Sequence, residues 1–273
     1  MNYFTSSLHG NAEAYFNLKQ LINFKKNDEL YILGDILDGN AKNPQACLDI
    51  LEDIMLNDNI HLILGNHEYA HALFHASQND DEMNEIEQML TNTLFPGDAL
   101  IKHMLNSLSD RELKRYVSFL ISCNVSQIIK IGSRYFYLCH GAPVPCKADD
   151  FYTWQKRIVT APIAIEKNYF MAIKSDPDIQ IPEDMTPNNT IVLCGHTQSA
   201  SILEQYPALK SKYYAPDEAP YQKVLYENKK MIINCGCSQD AYPSPLVPTL
   251  ACVGIDAAGF FTEYIREFRK KEV

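Results

Sequence analysis

Apolar and polar positions change their period along the chain, and the changes mark out its elements. Up to residue 64, short apolar runs alternate with helical spacing. Tyr3–Ser6, Glu29–Leu33 and Ile60–Leu64 read as strands, and Asn11–Ile22 and Pro44–Leu56 as helices. In the first helix Ala14, Phe16, Leu18 and Leu21-Ile22 recur at helical spacing. In the second, Pro44 falls in the first turn, where a missing N–H costs nothing. This β-α-β-α-β rhythm predicts an α/β fold with parallel strands. From Glu68 to about Leu120 the spacing is mostly helical, with an acidic stretch, Asp80–Glu87, and Ser109 as an N-cap before Asp110-Arg111-Glu112. Gln127–Ile131 and Arg134–Cys139 flank Gly132-Ser133 and read as a β-hairpin. Segments 143–189 and 205–222 carry no regular period. Thr190–Cys194, Lys223–Tyr226, Met231–Asn234, Thr249–Asp256 and Phe260–Tyr264 are strands, with turns at Asn228-Lys229-Lys230 and Ala257-Ala258-Gly259. No linker divides the chain, so residues 1–273 are expected to form one domain with a helical insertion around 68–122.

Composition narrows the function. Of 273 residues, 34 are Asp or Glu and 24 are Lys or Arg, a formal charge of −10. That balance argues against a nucleic-acid polymer as partner, because phosphate neutralisation needs Lys and Arg. It argues equally against an anionic membrane surface. Apolar runs stay shorter than the roughly 18 residues of a membrane span, and Met1–Ser6 lacks a basic leader, so a cytoplasmic protein is expected. The eight cysteines then read as reduced, buried thiols, and Cys235-Gly236-Cys237 alone is weak evidence for a metal.

Ligand-type residues recur where the strands end. The five endings are Ser6-Ser7-Leu8-His9-Gly10-Asn11, Gly34-Asp35-Ile36-Leu37-Asp38-Gly39, Gly65-Asn66-His67-Glu68, Cys139-His140-Gly141 and Cys194-Gly195-His196-Thr197. In α/β sheets, ligands bind in the crevice at the carboxyl ends of strands. Five strands therefore aim His9, Asp35, Asp38, Asn66, His67, His140 and His196 at one place. Mixed imidazole, carboxylate and amide donors suit Mn, Fe, Zn or Mg rather than a thiolate-bound metal.

In this order the motifs resemble those of the calcineurin-like metallophosphoesterases, closest to the phosphoprotein-phosphatase-like branch. The family pattern runs D-x-H-G, G-D-x-x-D-R-G, G-N-H-E, H-G and G-H-T, and Ile233-Asn234-Cys235-Gly236-Cys237 resembles its I-D-T-G-C segment. The resemblance spans residues 3 to about 265. It implies a four-layer fold, a β-sandwich of mixed sheets flanked by helices, with a two-metal site at the strand ends. It implies that Asp35 bridges two divalent cations, manganese foremost among them. His9 helps hold the first, and Asn66, His140 and His196 hold the second with Asp35. His67 is then the proton donor to the leaving oxygen, oriented by Asp38. The implied substrate is a phosphoprotein or a small phosphorylated metabolite or nucleotide, hydrolysed by metal-activated water.

Two departures matter. Ser7 stands where the pattern has the first Asp, so one cation is held firmly and the other weakly. Gly39-Asn40 stands where the pattern has Arg-Gly; Lys156 and Arg157, in Trp154-Gln155-Lys156-Arg157, resemble a W-x-R element and are the candidate phosphate-binding replacements beside Asn66. The alternative function is a pseudophosphatase that binds a phosphorylated ligand or a protein partner without turnover.

Overall fold

A computed structural model describes residues 1–38, 43–77, 99–141, 190–205, 224–227, 229–237 and 249–267. Two mixed five-stranded sheets make its centre. In the first, β1 (Asn2–Thr5) and β3 (Ile60–Ile63) both run parallel to β2 (Glu29–Leu33), in the register Phe4↔Tyr31↔His61. On its other side β1 pairs antiparallel with β9 (Thr249–Ile255), which carries β10 (Phe261–Glu267) as the edge. In the second sheet β4 (Ser126–Ile131) and β5 (Arg134–Cys139) form the expected hairpin. There β6 (Thr190–Cys194) lies parallel to β5 and to β8 (Lys230–Ile232), and β7 (Leu225–Glu227) closes the sheet antiparallel to β8. The parallel strands read from the first third of the sequence are thus embedded in one mixed sheet.

The period of two along each strand decides which side chains meet. Phe4, Tyr31, Leu33 and Ile63 of the first sheet share a buried cluster with Phe136, Leu138, Leu193 and Met231 of the second. Phe4 stacks on Tyr31 at 5.2 Å and on Phe136 at 6.3 Å, fixing the sheets face to face. The alternate residues Tyr3, Leu30 and Ile32 point to the opposite face. There they pack on α1 (Ala12–Leu21) and α2 (Pro44–Leu56), through Tyr15 and Leu18 of one and Cys47, Leu51 and Ile54 of the other. Full burial of each such side chain contributes about 1.5–3 kcal/mol. Further along come α3 (Asn66–Ser77), α4 (Ala99–Ser107) and α5 (Asp110–Ser122), with α3 packed on α5 and α4 on α2. On the far side of the second sheet, α6 (Ser199–Gln205) lays Ile202 and Leu203 on Leu225 and Ile232. Helices, sheet, sheet and helix make the four layers of the expected α/β sandwich.

Details differ from expectation. Helix α3 begins at Asn66, not Glu68, so two candidate site residues occupy its first turn. Helix α6 was not anticipated; with seven residues it is too short to register as a period. Segments 143–189 and 206–222, with Gly39, Asn40, Lys156 and Arg157, lie outside the described residues. Seven cysteines, Cys47, Cys123, Cys139, Cys194, Cys235, Cys237 and Cys252, are free and buried. Burial pushes the Cys123 and Cys237 thiols up to about 12. Among the described residues no helix is long and apolar enough to cross a membrane.

Candidate metal centre at the strand ends

The first two strands deliver their ligands through strained backbone turns. Ser7, His9 and Asp35 have φ of 55°, 46° and 55°, in the left-handed region that L-residues seldom occupy. Such conformations cost about 1–3 kcal/mol each and persist where the surroundings over-determine them. Here the loop after β1 is tied to the loop after β2: the Ser7, His9 and Gly10 amides donate to the carbonyls of Gly34, Asp35 and Ile36 at 2.8–2.9 Å. Behind the loops sits the fully buried Glu68. Its carboxylate accepts from the backbone N–H of Asp35, Leu37 and Gly65 at 2.8, 2.8 and 2.9 Å. Burial, helped by the charge of Asp35, nonetheless pushes its carboxyl above the usual range. Gly65 is required by closeness: a Cβ there would stand 2.3 Å from Asp35 Oδ1.

The side chains converge on Asp35. His140 Nε2 lies 3.0 Å from Asp35 Oδ2 and 3.1 Å from His196 Nδ1. On the other side His9 Nε2 is 4.0 Å from Asp35 Oδ2, His9 Nδ1 is 3.7 Å from Asp38, and the His9 and His67 rings meet edge-to-face at 5.4 Å. Two clusters result, Asp35–His140–His196 and His9–Asp35–His67, each with donor atoms within 4.8 Å of one another and both containing Asp35. Burial opposes ionisation of Asp35, but His140, His67 and His9 outweigh it and hold the carboxyl well below the usual carboxylate range. For His140 burial lowers the imidazole value, and Asp35 overcomes this and raises it. For His9 burial prevails and the value falls.

These residues fit a divalent cation. His140 Nδ1 donates to the Leu33 carbonyl at 2.6 Å, which leaves the neutral ring a lone pair on Nε2, facing a carboxylate and a second imidazole. That arrangement calls for a proton or a metal between the three groups. Asn66 Oδ1 is buried without a hydrogen-bond partner, a costly state for an amide oxygen that a cation relieves. Ser7 is also buried, but its Oγ donates to the Gly195 carbonyl at 2.9 Å.

His9, Asp35, Asp38, Asn66, His67, His140 and His196 all lie at the carboxyl ends of the strands, and the distances above link six of them directly. Sequence reasoning missed the clamp formed by Glu68, although the residue lay within a quoted motif. It also missed Asn234, whose Nδ2 donates to the His196 carbonyl at 2.8 Å. The decisive bonds are not local, since Glu68 reaches the amides of Asp35 and Leu37, and Asn234 the His196 carbonyl, across more than 30 residues of chain.

Comparisons with known proteins bear on the family and the fold. The family model for calcineurin-like phosphoesterases matches residues 3–233. Among solved structures, that of a candidate diadenosine tetraphosphatase is similar with a TM-score of 0.52 and 12% identity, covering 97% of this chain and 92% of that one. A metallophosphoesterase from Sphaerobacter thermophilus gives a TM-score of 0.43 and 15% identity, over 98% and 89% of the two chains. No curated protein matches the chain in sequence. With a matched family model, two mixed sheets and His/Asp clusters at the strand ends, the chain belongs to the calcineurin-like phosphoesterase family.

Proposed function

We propose that the chain is a metal-dependent phosphoesterase, hydrolysing a phosphate ester of a phosphoprotein or of a small phosphorylated metabolite or nucleotide. The observation that carries this reading is the sharing of Asp35 by two donor clusters. Asp35, Asn66, His140 and His196 would hold one divalent cation, with manganese the leading choice, and His9 with Asp35 a second, weaker one. When bound, such cations polarise a phosphoryl group and acidify water near neutral pH. His67, whose ring meets that of His9 edge-to-face, is the proton donor to the leaving oxygen and Asp38 the carboxylate that orients it; Asp38 itself lies 3.7 Å from His9 Nδ1. Asn66, Lys156 and Arg157 are the proposed phosphate contacts.

Ser7 favours a second reading, a pseudophosphatase that binds a phosphorylated ligand without turnover, because its hydroxyl is a far weaker ligand than a carboxylate and already serves Gly195. Mn²⁺-dependent hydrolysis of p-nitrophenyl phosphate separates the two. Activity is expected in this protein, with Ser7→Asp faster or saturating at lower metal, and with His67→Ala inactive but unchanged in metal content. A silent protein whose Ser7→Asp variant gains activity would establish the pseudoenzyme instead. Silence in both, with metal still bound, would remove the phosphoesterase reading for aryl esters.

A further inference from the structure

Gly195 and His196 are held at all four of their backbone polar groups by other loops of the site. The Gly195 and His196 amides both donate to the His140 carbonyl at 2.7 Å. The Gly195 carbonyl accepts from Ser7 Oγ at 2.9 Å, and the next carbonyl, that of His196, accepts from Asn234 Nδ2 at 2.8 Å. The orientation of the Asn234 amide is settled by its other end, where Oδ1 accepts the Gly236 N–H at 2.9 Å; a flipped amide would set donor against donor. Both residues are buried, Ser7 completely. A carboxylate at either position could not donate to these carbonyls, yet both are positions where the family pattern quoted above has Asp. Two independent departures from that pattern thus end on consecutive carbonyls of one ligand loop.

We infer that Ser7 and Asn234 are a pair of positioning residues, a neutral clamp that sets the Gly195-His196 backbone so that the His196 ring stands against His140 and Asp35 before any cation arrives. This rests on the metal-site reading proposed above. On this account Ser7, at the position where a ligand of the His9-side cation is expected, also braces the Asp35–Asn66–His140–His196 side. Residues behind metal ligands commonly change metal affinity by about 10–100-fold when removed. Because both donors steady one loop, their losses should not be independent.

The test uses the chelated protein, Ser7→Ala, Asn234→Ala and the double variant, each titrated with Co²⁺ well below its melting temperature. The visible cobalt bands report the ligand set, and the titration gives affinity. One tightly bound Co²⁺ per chain is expected, weakened about tenfold by each single change, with altered bands. In the double variant the loss should be smaller than the product of the two. Alanine variants that do not fold are replaced by the near-isosteric Ser7→Cys and Asn234→Asp. The latter also adds negative charge, which alone would tighten cation binding, so weaker binding there points to the lost donor. Unchanged affinity and bands in the double variant, or in Ser7→Cys where the alanine variants do not fold, overturns the clamp while leaving the metal site standing. A protein that binds no Co²⁺ at all overturns both.

Discussion

Asp35 and His140 form a pair whose two shifts point the same way, towards a carboxylate facing an imidazolium when no metal is present. Asp35 is held well below the usual carboxylate range, and His140 is raised above the ordinary imidazole value of 6.5 by the charge of Asp35. The linkage follows. A depressed Asp contributes stability above its unfolded value, lost as pH falls through the folded one. A raised His contributes stability below its unfolded value, lost as pH rises through the folded one. His9, whose imidazole value is lowered by burial, has the opposite sign but acts only below the ordinary value of 6.5, so in chelator the melting temperature should fall as pH rises from there through the raised His140 value. Metal binding displaces that proton, so Mn²⁺ affinity should rise over the same interval. Calorimetry in EDTA from about pH 5 to 9, repeated with Mn²⁺, checks both signs; a chelated protein that gains stability towards alkaline pH would contradict the pairing.

Among the elements, α3 and α5 show what was legible and what was not. The Ser109 cap could be read from sequence because a capping box is local. Ser109 Oγ accepts the Glu112 N–H at 3.4 Å, and Glu112 accepts the Ser109 N–H at 2.8 Å. Helix α5 packs on α3, which presents Asn66 and His67, so the cap supports the wall of the site. Ser109→Ala should cost about 1 kcal/mol and lower the melting temperature by about 2–4 °C. A differential scan of the two proteins decides it, and an unchanged transition would mean that α5 is held by packing alone. Strands β1 to β3, the β4–β5 hairpin and the five ligand-bearing endings were legible for the same reason: period and turn chemistry are written within a few residues. Strand order was not, because β9 joins β1 from about 250 residues away, through pairs such as Phe4↔Val253. Glu68 and Asn234 escaped notice likewise. A carboxylate accepting three backbone amides from two loops has no signature along the chain.

For the molecule as a whole, the origin of the ligands is decisive. Asp35 and Asn66 follow strands of the first sheet, and His140 and His196 follow strands of the second. The two sheets already share the Phe4–Tyr31–Phe136 core and the Ser7–Gly195 hydrogen bond. A cation held by those four residues would tie the same two layers at their open end, so its binding energy appears as stability of the entire sandwich rather than of one loop. At a free metal concentration a hundred times Kd the gain is about 2.7 kcal/mol. For a chain of this size that corresponds to a rise of roughly 5–10 °C in melting temperature. The rise should come in one cooperative transition, because the inner face of each sheet is buried by the other. His196→Ala removes one tie from the second sheet and should abolish most of the rise while leaving the chelated protein melting close to the wild type. A metal-induced rise that survives His196→Ala in full would move the cation to the His9–Asp35–His67 side. In that case only the first sheet would be gripped, and the chelated and metal-bound proteins should differ chiefly in the order of the β1 and β2 loops.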